Sequence, residues 1–180
     1  MNPTSNHGAN SPVLSEGEWP WLLAGYLHVR QGDSMSLLSK LFRIKAPQIQ
    51  KPNGEPKTSG ELIAEVTEGA NLVEGKQTWE DAEEKKHDIE YMKKCCDAEL
   101  KTMEKAGLVP APYYFERVAI LSRKEKKYQQ VVDYCESYIN AVKGFYKRHG
   151  TKGMADVRKG PRYQAIVKRL PKAKELLRSK

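Results

Sequence analysis

Residues 110–139, PAPYYFERVAILSRKEKKYQQVVDYCESYI, limit the fold of this chain more than any other stretch. Its apolar residues recur at spacings of three and four. The first set is Tyr114, Phe115, Val118, Ala119 and Leu121, with Ser122 on the same face; the second is Tyr128, Val131, Val132, Cys135, Tyr138, Ile139 and Val142. Such spacing places each set on one face of a helix. Pro112 suits the first position of a helix, where a missing N–H costs nothing. Between the two sets lie only the charged residues 123–127. A connection that short forces neighbouring helices antiparallel. Two helices are predicted, about 112–124 and 127–146, folded into a hairpin.

The flanking sequence carries its own helix punctuation. Thr58 followed by Glu61 makes a capping box for a short helix through Leu62, Ile63 and Val66, ending by Gly69. LIAEV also reads as a strand. Thr78 is an N-cap residue with Glu80, Asp81, Glu83 and Glu84 behind it, where the helix dipole favours negative charge. The expected helix runs from there to about Lys105, closed by Gly107. Its stripe Ala82, Ile89, Cys96 and Met103 is narrow, so most of its circumference is expected in water. Gly150 and Gly153 break the chain after the hairpin. Pro161 opens a final basic helix, which Pro171 is expected to interrupt. These readings give an all-α fold, a small helical bundle over residues 58–180 with a basic C-terminal segment at 143–180.

Residues 1–57 read as a largely disordered leader and linker. The first 18 are rich in Asn, Ser, Pro and Gly, and residues 46–60 hold three prolines and two glycines. Met35 begins MSLLSKLFRIK, which resembles a natural start, so residues 1–34 are expected outside the fold. The rival reading is a docking helix at 19–30, since Trp19, Trp21, Leu22, Leu23, Tyr26 and Leu27 are a large apolar payload to leave in water.

Charge is strongly segregated. The net +8 of the 180 residues divides into +2 over residues 1–57, −5 over 58–139 and +11 over 140–180. The basic character therefore belongs to the C-terminal segment. No apolar run approaches the roughly 18–20 residues of a membrane-spanning helix. Three cysteines, two of them adjacent, do not form a disulfide framework, and reduced thiols in a cytoplasmic setting are expected. Cys96 falls on the apolar stripe, which leaves Cys95 as the candidate exposed thiol.

The hairpin resembles a tetratricopeptide repeat. The match runs through Phe115, the pair Val118-Ala119, Tyr128, Val131 and Cys135. Val131 stands where the family prefers alanine, and Lys126 replaces its usual turn glycine. No second copy lies about 34 residues away in either direction. The resemblance implies a non-enzymatic scaffold that binds a protein or peptide, with helices 78–105 and 161–178 as atypical neighbours, since one repeat cannot bury its own face. Tyr113, Arg123, Lys124 and Lys127 are the expected partner contacts.

No catalytic constellation is present: there is no Ser/His/Asp order, no Gly-rich phosphate loop and no nucleophile elbow. No catalytic residue and no cofactor are therefore assigned. Glu83, Glu84, His87, Asp88 and Glu90 form an acidic cluster; the hairpin helices offer Glu116, Asp133 and Glu136 but no partner histidine, so a solvated acidic face and no metal are expected. In the basic segment, Lys147, Arg148, Arg158, Lys159, Arg162, Lys168, Arg169 and Lys172 are interleaved with Phe145, Tyr146 and Tyr163. That mixture suits the phosphates of DNA or RNA, or an acidic protein surface that includes the chain's own 78–104 helix. A solubilising tail is the third reading. The expected function is that of an adaptor, with nucleic-acid binding as the alternative.

Overall fold

Local signals decide most of the helix boundaries in the computed structural model, which describes residues 49–179. The leader, the start at Met35 and the docking helix expected at 19–30 lie outside the described residues. Residues 49–57 make a tight reversal, with a bridge between Gln50 and Pro56. Helix α1, Ser59–Thr67, follows. The Thr58 side chain accepts from the Glu61 N–H, and the Glu61 side chain accepts from the Thr58 N–H, which is the predicted capping box. The β reading of LIAEV therefore does not hold.

A feature absent from the sequence reading comes next. Strands β1, Leu72–Val73, and β2, Lys76–Gln77, pair antiparallel, Leu72 opposite Gln77 and Val73 opposite Lys76. Glu74 and Gly75 turn between them, both at positive φ (56° and 82°), as a tight two-residue hairpin requires. Thr67 donates its hydroxyl to Asn71 (2.8 Å), Asn71 donates to Gln77 (2.8 Å), and Gln77 donates to the Gly60 carbonyl (3.1 Å). This chain of side chains fastens the strands to α1.

Thr78 does not cap a helix, contrary to the sequence reading. Its hydroxyl donates to Glu99 at 3.1 Å, and residues 79–87 form successive turns instead. Helix α2, Ile89–Ala106, starts ten residues later than expected, with Asp88 accepting from the N–H groups of Glu90 and Tyr91. Gly107 closes it at φ 65°, as predicted. Its buried face is also wider than one stripe: Tyr91, Met92, Cys95, Cys96, Ala98 and Ala106 are all buried.

Helices α3, Pro112–Lys124, and α4, Tyr128–His149, form the expected hairpin. Helix α5, Pro161–Arg178, runs unbroken through Pro171, so the predicted interruption does not occur. A short 3₁₀ turn, Val157–Lys159, precedes it. Helix α3 lies at the centre and packs against α2, α4 and α5, while α5 packs on both helices of the hairpin. Phe115, Val118, Ala119, Val131, Tyr138, Val142, Phe145 and Ile166 fill the space between them. The fold class is all-α, with five α-helices and one two-stranded hairpin among the described residues.

Candidate interaction surface

The hairpin turn and the last helix meet at one end of the bundle. Ala119 and Arg123 from α3, Tyr128 and Val131 from α4, and Arg169, Lys172, Ala173 and Leu176 from α5 line a groove there. Ala119, Val131 and Ala173 are buried and close its bottom, while Tyr128 and Leu176 are half-buried along it. Arg123 and Lys172 are exposed. Arg123 is an expected protein contact and Lys172 an expected acidic- or phosphate-surface contact; the fold places these two residues, with Arg169, in one lining, and leaves the rest of the expected sets outside it. Lys124 and Lys127 are exposed beside them, and Lys127 pairs with Glu125 at 2.7 Å.

The remaining basic residues separate into two groups. Arg162 pairs with Glu116 at 2.9 Å and covers the Tyr113 ring, 4.9 Å from its centroid. Arg169 lies 3.6 Å from the same carboxylate, and its Nε is buried without a hydrogen-bond partner among the described residues. Arg158 pairs with Asp156 at 2.8 Å and lies over the Tyr146 ring. Lys174 pairs with Glu136 at 2.6 Å. These cations hold α5 and the 3₁₀ turn to the hairpin. Among the described residues their acidic partners are Glu116, Glu136 and Asp156, and the 78–104 segment supplies none of them. Lys147, Arg148, Lys159 and Lys168 are exposed and make no ion pair within the described residues. Lys147 and Arg148 end α4, roughly 30 Å along its axis from the turn.

Tyr113 is half-buried rather than open to solvent. Its ring meets Tyr114 edge-on at 5.3 Å and carries Arg162 on a face. Phe145, Tyr146 and Tyr163 are core residues, 1%, 5% and 6% exposed. They give the basic segment no stacking surface for bases.

Cys95 is fully buried, which overturns its assignment as the exposed thiol. Burial pushes its thiol up to about 12 and that of Cys135 up to about 11, and holds Cys96 well above the ordinary value. None of the three forms a thiolate near neutrality, and none is in a disulfide. The acidic cluster is spent locally: Asp88 caps α2, Glu83 pairs with Lys86, and Glu90 pairs with Lys93. Arg117 reaches the Lys86 carbonyl through Nε at 3.0 Å and approaches the His87 ring at 3.4 Å.

Sequence reasoning missed the role of Glu116, a buried carboxylate held between two arginines of α5. One signal was readable. Arg162 and Arg169 are seven residues apart and so lie on the same helical face. Comparison with protein-family models, with curated proteins and with solved structures finds no match to this chain.

Proposed function

We propose that this chain is a non-enzymatic adaptor that binds a protein or peptide through the turn end of a tetratricopeptide-like hairpin. The observation that carries the reading is the groove in which Arg123 of the hairpin and Lys172 of α5 stand together over an apolar floor. The packing supports the family resemblance. A lone repeat needs neighbours to cover its faces, and here α2 lies against α3 while α5 lies against both helices. Ala119, small and fully buried, sits where the resembled family keeps helices close.

Affinity capture from native cells tests the adaptor reading. The full chain is expected to retain a defined protein that the triple variant Arg123→Glu, Lys124→Glu, Lys127→Glu loses. Equal capture by both chains would end it.

A second reading, nucleic-acid binding, draws support from Lys147, Arg148, Lys159, Lys168 and Lys172, which are exposed and make no ion pair among the described residues. Gel shifts with generic DNA and RNA at two salt concentrations decide it. Binding that weakens steeply with salt would support it, and no shift at micromolar protein would remove it. Among the described residues no helix is long and apolar enough to cross a membrane.

A further inference from the structure

The geometry points to an acidic peptide segment, with one aliphatic side chain set among its carboxylates, as the ligand of the groove between the α3–α4 turn and α5. This inference rests on the adaptor reading and names the chemistry of its partner.

Charge sets the first requirement. Arg123 and Lys172 line the groove from different helices, and neither has a carboxylate partner within the described residues. Lys168 lies one turn before Lys172 on α5, also exposed and without an ion pair among the described residues. Arg169, next to Lys168 in sequence, lies 3.6 Å from Glu116, and its buried Nε is out of reach of a ligand on the rim, so the available cations are Arg123, Lys168 and Lys172. A carboxylate laid along the groove offers acceptors to cations that the fold leaves unused.

The floor sets the second. Beside the buried floor of Ala119, Val131 and Ala173, Leu176 and Tyr128 add half-buried apolar surface to the lining. A phosphate backbone cannot use that surface, whereas a leucine or isoleucine flanked by Asp and Glu can. Of the aromatics near the basic segment, Phe145, Tyr146 and Tyr163 are buried in the core, which leaves Tyr128 as the one ring in the groove lining, too little for a run of stacked bases. Size sets the third. The enclosed space is about 10 Å³, enough for one water and too little for a side chain. The peptide must therefore lie across the rim, with its acidic residues reaching the cations of both helices.

Fluorescence anisotropy on the full chain tests this directly. The probes are a labelled Asp/Glu peptide with a single central leucine, its Asn/Gln counterpart, an all-Glu peptide, and a single-stranded 20-mer of RNA. The acidic leucine peptide is expected to bind in the micromolar range, at least tenfold tighter than the amide peptide and several-fold tighter than the all-Glu peptide. The double variant Arg123→Glu, Lys172→Glu should weaken it at least tenfold with an unchanged circular dichroism spectrum, both residues being exposed. Lys147→Glu, at the far end of α4, should leave it unchanged.

The inference is overturned if the acidic peptide does not bind, if the double variant binds as well as the parent, or if the RNA binds tighter and displaces the peptide. Failure here with capture still lost in the triple turn variant removes the acidic ligand alone. Failure of both removes the adaptor reading as well.

Discussion

Lys126 holds a backbone conformation that its side chain disfavours. Its φ of 58° lies in the left-handed region, which costs a residue with a Cβ roughly 1–2 kcal/mol relative to glycine. The turn needs it: the Lys126 N–H donates to the Arg123 carbonyl (3.0 Å) and the Lys127 N–H to the Ser122 carbonyl (2.9 Å), closing α3. Lys126→Gly is expected to stabilise the protein by about 1 kcal/mol in urea titration, and a loss of stability would show that the lysine side chain outweighs the backbone cost. The position was visible in the sequence, because Lys126 stands where the resembled family has glycine. The pairing of Glu116 with Arg162 was not, since the two are 46 residues apart and only the packing of α5 on α3 brings them together.

Elements were most legible where a boundary is settled by the residues next to it. The Thr58–Glu61 box, Pro112, Gly107, Gly150 and Pro161 all mark helix ends by local geometry, and all do so in the fold. The reading failed where a capping residue was taken by a distant partner. Thr78 is engaged by Glu99, whose other oxygen accepts from the Ala111 N–H at 2.8 Å, so the start of α2 passes to Asp88. It failed again at Pro171, where packing overrides a local preference. Tyr163 and Ile166 before the proline and Ala173 after it are all anchored in the core, so α5 continues. The missing N–H leaves the Val167 carbonyl without its helical donor, and exposed Val167 can give that oxygen to water. Pro171→Ala should restore the bond and stabilise the protein by about 1–3 kcal/mol, read as a raised urea midpoint. An unchanged midpoint would mean that the helix already accommodates the ring without strain.

At the scale of the whole molecule, charge divides into pairs that hold elements together and cations left over at the ends. Glu74 is the clearest tie, accepting from Lys85 and Lys94, both at 2.8 Å. Hydrogen bonds from these lysines hold its carboxyl down at about 2, below the ordinary 4.5. A depressed carboxyl contributes stability that is fully present above the ordinary value and is lost as the pH falls toward the folded one. The difference in melting temperature between the parent and Glu74→Gln should therefore be largest above pH 4.5 and close by about pH 2. A constant difference would contradict the assignment. Glu99 runs the other way: burial raises its carboxyl, so its ionisation opposes folding. Helix α1 depends on ties of the first kind. It buries only Thr67, and Lys105 clips its end to α2 through the Thr67 carbonyl (3.0 Å) and Glu68 (2.7 Å). Lys51–Glu61 and Lys57–Glu65 pair along its other side. A helix held by polar contacts at a solvated surface opens at a smaller free energy than the bundle unfolds. Its amides should exchange with deuterium well before those of α3 and α4, and faster still at high salt, so that this edge of the protein breathes while the helix hairpin stays closed.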